Sequence, residues 1–213
     1  MGKGETRTNL LVVFYSMTGN VARLAKAVAE GAKEVEGVEV RLRQVQDLLP
    51  QEVIETDERI KRTKEELSDI PFATSDDLVW AHGIAFGSPT RFGNVTTQLK
   101  QFIDQQGSLW AKGLLENKVA GFFTSTATQH GGQESTILTA MVTAFHFGMI
   151  VAGVPYSERR LFSLEMGGGG PYGPSSVSGP DASRRPDERE LAVARALGRR
   201  LATLAQALKG LQA

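Results

Sequence analysis

The residues best suited to chemistry begin at Tyr15-Ser16-Met17-Thr18-Gly19-Asn20-Val21, between the apolar run of residues 10–15 and a stretch of helical spacing. A strand-to-helix junction of this kind suits phosphate, because the first turn of a helix offers unpaired N–H groups and a partial positive charge. Ser16, Thr18 and Asn20 add side-chain donors, and Gly19 lets the backbone wrap closely. No lysine follows, so this is not the Walker-type loop. The pattern fits a single phosphate held by hydroxyls and amides. Without a ligand the same residues would make a hydroxyl-rich helix cap; the position directly after the first strand favours the phosphate.

Two further polar loops have matching positions. Gly87-Ser88-Pro89-Thr90-Arg91-Phe92-Gly93-Asn94 follows a third apolar run, and Thr124-Ser125-Thr126-Ala127-Thr128-Gln129-His130-Gly131-Gly132-Gln133 follows a fourth. In a parallel α/β sheet, ligands bind at the carboxyl ends of strands near the topological switch point. All three loops are therefore expected in one cleft, their amides and hydroxyls around one polar ligand. Pro89, Gly93, Gly131 and Gly132 taken singly would be ordinary turn residues.

Three side chains are singled out. Arg91 either meets negative charge in the cleft or is a surface arginine. His146, in an apolar helical stretch between Phe145 and Phe147, is either structural or a donor to a bound ligand. Trp110 is core or, by its flat face and N–H, the edge of a wet aromatic pocket. The stretch from Gly168 to Gly173 formally fits G-x-G-x-x-G, but it follows no clear strand and contains Pro171. It is read as an ordered loop and not as a dinucleotide fingerprint.

These loops need a frame. Residues 10–15 read as a strand buried on both faces, as in parallel sheets. Residues 21–35 have helical spacing, and residues 38–45 alternate as a second strand. A helix is expected within residues 51–67. A short one runs from the start signal Ser75-Asp76-Asp77 to His82, closed by Gly83. Strands follow at 84–87, 119–123 and 149–154, with helices over 95–106, 134–148 and 189–208. Residues 157–185 read as loop. Strand and helix alternate through five strands, which predicts an α/β open parallel sheet with helices on both faces. One domain is expected over residues 9–213, after a polar tail at residues 1–8.

Composition narrows the function. Lys+Arg and Asp+Glu are both 24, so the basic excess of a nucleic-acid binder is missing, and so is the acidity usual in carriers that dock on basic partners. The chain has no cysteine, which excludes disulfides, thiolate metal sites and a thiol nucleophile. His82, His130 and His146 show no metal-ligand spacing, and no metal is expected. No run approaches the about 20 apolar residues of a membrane helix. A signal-peptide hydrophobic region is missing, so no membrane insertion and a cytoplasmic location are expected. The acylation-like pattern at residues 1–6 and the sequon Asn94-Val95-Thr96 are chance matches.

The loop motifs, with Asp104-Gln105, Leu109-Trp110, Gly131-Gly132-Gln133-Glu134-Ser135-Thr136, His146-Phe147-Gly148-Met149 and Gly170-Pro171-Tyr172-Gly173, resemble those of the WrbA family over nearly the whole chain from Asn9. Pro89 to Asn94 is the most diagnostic stretch. The resemblance implies a flavodoxin-like fold with FMN as cofactor. It also implies NAD(P)H as a transient co-substrate, two-electron reduction of quinones in ping-pong order, and a homotetramer. It puts Ser16, Met17, Thr18, Gly19, Asn20 and Val21 at the phosphate. Pro89, Thr90, Arg91, Phe92, Gly93 and Asn94, with Ser125, Thr126, Ala127, Thr128, Gln129 and Gly131, would meet ribityl and ring. His146 would border the flavin, and Trp110 would line the substrate pocket. The chain departs from the family at Thr18, where Tyr is frequent, and in a fourth-strand loop one residue longer. The competing readings are a flavodoxin-type one-electron carrier and a regulatory flavin-binding protein.

Overall fold

The computed structural model describes residues 7–212, so of the expected tail only Arg7 and Thr8 are seen, and residues 1–6 with their acylation-like pattern lie outside the described part. The strands are β1 (Thr8–Phe14), β2 (Val38–Gln44), β3 (Gly83–Pro89), β4 (Val119–Thr126), β5 (Ile150–Val151) and β6 (Ser175–Val177). All pair in parallel in the order β2-β1-β3-β4-β5, and β6 joins β4 beyond β5. This is the flavodoxin-like order, with the switch point between β1 and β3.

The period of two along β1 divides the core. Leu10, Val12 and Phe14 face α1 (Asn20–Lys33) and α8 (Glu188–Leu208), while Leu11, Val13 and Tyr15 face the other layer. That second layer holds α4 (Ser75–Trp80), α5 (Thr97–Asp104) and α7 (Gln133–His146). Every residue of the central β4 is buried, whereas the edge strand β2 is half-buried along its length. The α1 and α8 backbones nearly touch. A Cβ on Gly31 would lie 2.0 Å from the Arg195 carbonyl oxygen, and one on Gly198 would lie 1.9 Å from that of Val28. Among the described residues, no helix is long and apolar enough to cross a membrane.

Several expected boundaries move for local reasons. The helix expected within 51–67 is two, α2 (Gln51–Thr56) and α3 (Glu58–Glu66), because Asp57 is extended and caps α3 by accepting from the Arg59 amide. Gly83 does not close a helix; α4 ends at Trp80, and Gly83 opens β3. A further short helix, α6 (Gly107–Ala111), follows α5. The largest change is at 149–154. Only Ile150 and Val151 form strand, because Gly153 packs against the Pro171 carbonyl, where a Cβ would come within 2.0 Å. The returning segment then takes over the sheet edge as β6, inside the stretch expected to be loop.

Candidate functional site

A cleft of about 350 Å³ opens at the carboxyl ends of β1, β3 and β4. Its first wall is the β1–α1 loop with Ser16, Met17, Thr18, Asn20 and Val21, and its second is Pro89, Thr90 and Arg91. Ser125, Thr126 and Ala127 form the third. The three loops expected together do meet. Gly19, at φ +97°, takes the left-handed conformation that turns the chain into α1. The Ser16 hydroxyl accepts from the amides of Gly19 and Ala22, both at 3.2 Å, and keeps its own proton to donate. The amides of Asn20 and Val21 lie in the first turn of α1 and have no acceptor within the helix. Together with the Thr18 hydroxyl they could hold one phosphate.

Asn20 departs from expectation. Its carboxamide nitrogen donates to the Arg184 carbonyl at 2.9 Å, and its carboxamide oxygen accepts from Arg185 Nη1 at 3.1 Å. The side chain thus ties the loop to residues 184–185, and only its backbone amide could meet a phosphate.

The second loop is a tight turn. Arg91 and Asn94 exchange backbone hydrogen bonds at 2.8 and 3.0 Å, and the two residues between them, Phe92 (φ 53°) and Gly93 (φ 78°), are both left-handed. A bulky residue in that region is strained, and strain of this kind collects at functional sites. Phe92 is also fully exposed. The first turn of α7 supports the loop from below, with Thr136 Oγ1 donating to Thr90 Oγ1 at 2.7 Å and Gly132 packed on Gly93. Arg91 reaches over the mouth, its Nη2 3.0 Å from the Met17 sulfur.

The third loop is bonded to itself. The Thr128 carbonyl accepts from Thr126 Oγ1 and from the Gly131 amide, and Gln129 clamps Gly167 from both ends of its carboxamide. The glycine stretch it holds is likewise occupied internally: Gly168 donates to Glu190 Oε1, Gly169 donates to Ser175 Oγ, and Gly170 and Gly173 bond each other. Its amides are therefore turned inward, not toward a pyrophosphate.

His146 and Trp110 are not brought to the cleft. The first turn of α7 lies at the site, but His146 ends that 14-residue helix, about 20 Å away. Trp110 sits on α6, past the far end of α5, and is 59% exposed.

A fourth wall was not expected from the sequence. Ser178, Gly179, Pro180 and Ala182 close the cleft, and Arg59 reaches in from α3. Ser178 donates from both its amide and its hydroxyl to the Thr126 carbonyl, and Ser176 donates to Ser125. The buried Glu190 anchors this wall, accepting from Arg184 at 2.9 Å and from the amides of Gly168 and Asp187. The available signal was the hydroxyl-rich run Ser175-Ser176-Val177-Ser178-Gly179, which repeats the strand-then-hydroxyl pattern of the other loops.

Beneath the phosphate loop, the Tyr15 hydroxyl donates to Asp47 at 3.1 Å. Burial, and then the Asp47 charge, holds this phenol far above its ordinary range. Burial alone would raise the Asp47 carboxyl, but Lys64, the Leu49 amide and Tyr15 together hold it low. This ionised network fixes the end of β1 from which the loop springs.

The strand order and the cleft at the switch point define a flavodoxin-like fold with a candidate nucleotide site. A family model described as NADPH-dependent FMN reductase matches residues 9–158, and the chain belongs to that family. It is 48% identical over 198 residues to an NAD(P)H dehydrogenase (quinone) of Aromatoleum aromaticum, covering 92% of this chain and 95% of the relative. A protein of the same name from Methanosarcina acetivorans is 48% identical over 204 residues, covering 93% and 97%. Among solved structures, a flavodoxin, WrbA-like protein of Agrobacterium tumefaciens shares the fold with a TM-score of 0.64 at 24% identity, covering 94% of this chain and 99% of that one.

Proposed function

We propose that this protein is an FMN-dependent NAD(P)H:quinone oxidoreductase. The observation that carries the reading is the walled cleft with a single-phosphate cradle, in a chain nearly half identical to relatives named for that activity. The amides of Asn20 and Val21 and the hydroxyls of Ser16 and Thr18 hold the phosphate. The loops at Pro89 to Asn94 and Ser125 to Gly131 take the ribityl chain and ring. A bound flavin would supply the hydride-accepting and two-electron-donating chemistry by which NAD(P)H could reduce a quinone, with protons taken up from solvent, to the hydroquinone. Arg91 offsets negative charge at the mouth and draws in the anionic co-substrate. Phe92 offers a flat apolar face to an aromatic ring entering above it. The glycine loop is closed to nucleotide, so both substrates use one face in turn, and the order is ping-pong.

The reading extends to a homotetramer. Leu138, Val142 and Phe145 form an exposed apolar stripe along α7, with Trp110 also exposed. A second copy covering this face would bring its own Trp110 and His146 toward a neighbouring cleft, which is how those residues reach a substrate. The site is tested by reconstituting the FMN-free protein with FMN or FAD and following quinone-dependent NAD(P)H oxidation. FMN restores turnover in the wild type, and Thr18→Glu, which puts a carboxylate at the cradle, weakens FMN binding by at least about tenfold. Equal restoration by FAD, or unchanged affinity in the variant, contradicts this site.

A further inference from the structure

A second cleft, of about 300 Å³, lies on the other side of the phosphate loop. Four arginines from three parts of the chain line it: Arg23 of α1, Arg59 and Arg62 of α3, and Arg185. Glu58 and Glu66 line it as well. Two of the guanidinium groups are matched: Arg59 pairs with Asp57 at 2.6 Å and Arg62 with Glu66 at 2.9 Å. Arg23 and Arg185 form no salt bridge among the described residues. Arg185 is held by neutral groups instead, its Nη1 donating to the Thr18 carbonyl at 2.7 Å and to Asn20 Oδ1 at 3.1 Å. Burial, then the positive charges of Arg23 and Arg62, press against its ionisation, and Glu66 only partly offsets them. Two cationic forks are thus left facing a recess already crowded with positive charge.

Planar guanidinium groups in such an arrangement match the oxygens of a phosphate monoester, which two forks engage with paired hydrogen bonds. FMN does not account for this, since its one phosphate belongs to the cradle in the first cleft. Thr18 and Arg59 line both clefts, so a ligand in the second lies next to the flavin. The species that must approach that flavin and carries further phosphate is the nicotinamide dinucleotide.

We infer that this arginine-lined cleft is a specificity site for the 2′-phosphate of NADPH, making the protein discriminate against NADH. The inference rests on the proposed use of a nicotinamide co-substrate, but its test does not depend on turnover. Adenosine 2′,5′-bisphosphate, adenosine 5′-monophosphate and inorganic phosphate are titrated calorimetrically into the FMN-loaded protein and into Arg23→Gln and Arg23→Glu variants. The bisphosphate should bind at least about tenfold tighter than the monophosphate, and each variant should lose most of that difference while keeping its FMN. In turnover, the same variants should lower kcat/KM for NADPH and leave that for NADH in place. Equal binding of the two nucleotides overturns the inference. So does a preference the variants leave untouched, or inorganic phosphate binding as tightly as the bisphosphate, which marks a free-phosphate site. Calorimetric discrimination in a protein that oxidises neither dinucleotide would count against the oxidoreductase reading while leaving the phosphate site standing.

Discussion

At the scale of single residues, Phe92 is the least comfortable part of the molecule. Its left-handed backbone favours glycine, and its ring is fully exposed. Neither folding nor packing accounts for a phenylalanine there, whereas the proposed contact with a ligand ring would. Phe92→Gly should therefore leave thermal stability unchanged or raise it by up to about 1 kcal/mol, while the quinone KM rises by up to about tenfold. Denaturant melts beside steady-state assays check both; a destabilised variant with normal KM contradicts the role. The residue types around the proposed phosphate site were legible in the sequence because donors and a glycine at a strand–helix junction have one obvious use. The second task of Asn20 was not, because its partners, Arg184 and Arg185, lie more than 160 positions away in the chain. Separation along the chain also hid Arg59 and Arg185, which read locally as ordinary surface charge.

At the scale of elements, apolar periodicity gave the order of strands and helices but not the contacts between backbones. The fifth strand looked continuous over 149–154 because its residues are apolar, yet Gly153 exists to meet the Pro171 carbonyl, and pairing passes to β6. The α1–α8 crossing follows the same logic. Gly198→Ala would force the helices apart and should cost about 1–3 kcal/mol or more in chemical denaturation; an unchanged midpoint would mean that the helices separate freely. At the other end of the sheet, Lys118 Nζ donates to the Val79 and Ala81 carbonyls where α4 ends, and burial pushes its ammonium down to about 8. An unfolded lysine titrates near 10.4, roughly. Between the two values the unfolded chain holds more protons than the folded one, so stability rises with pH across that window. Lys118→Met should abolish the rise, as measured by denaturation at pH values spanning it; a rise that persists in the variant assigns it to another group.

At the scale of the whole molecule, one chain supplies the cradle, the Phe92 turn and the β6 wall, but not Trp110 or His146. The sequence placed those two by family likeness, and nothing local to them distinguishes a residue serving its own cleft from one serving a neighbour's. The exposed stripe on α7 would give a neighbour in the proposed assembly its surface. If the proposed tetramer forms through this face, Val142→Glu with Phe145→Glu should convert it to smaller species in light scattering and lower quinone turnover with FMN still bound. A wild type that is monomeric at every concentration contradicts the assembly. The central claim is that one flavin face serves two substrates in turn, and it is tested most directly by initial rates over a matrix of NADPH and quinone concentrations with FMN-loaded protein. The account predicts parallel double-reciprocal lines, with inhibition at high quinone as it occupies the form awaiting NADPH. Intersecting lines, or no quinone-dependent oxidation alongside one-electron exchange with a protein partner, would contradict it.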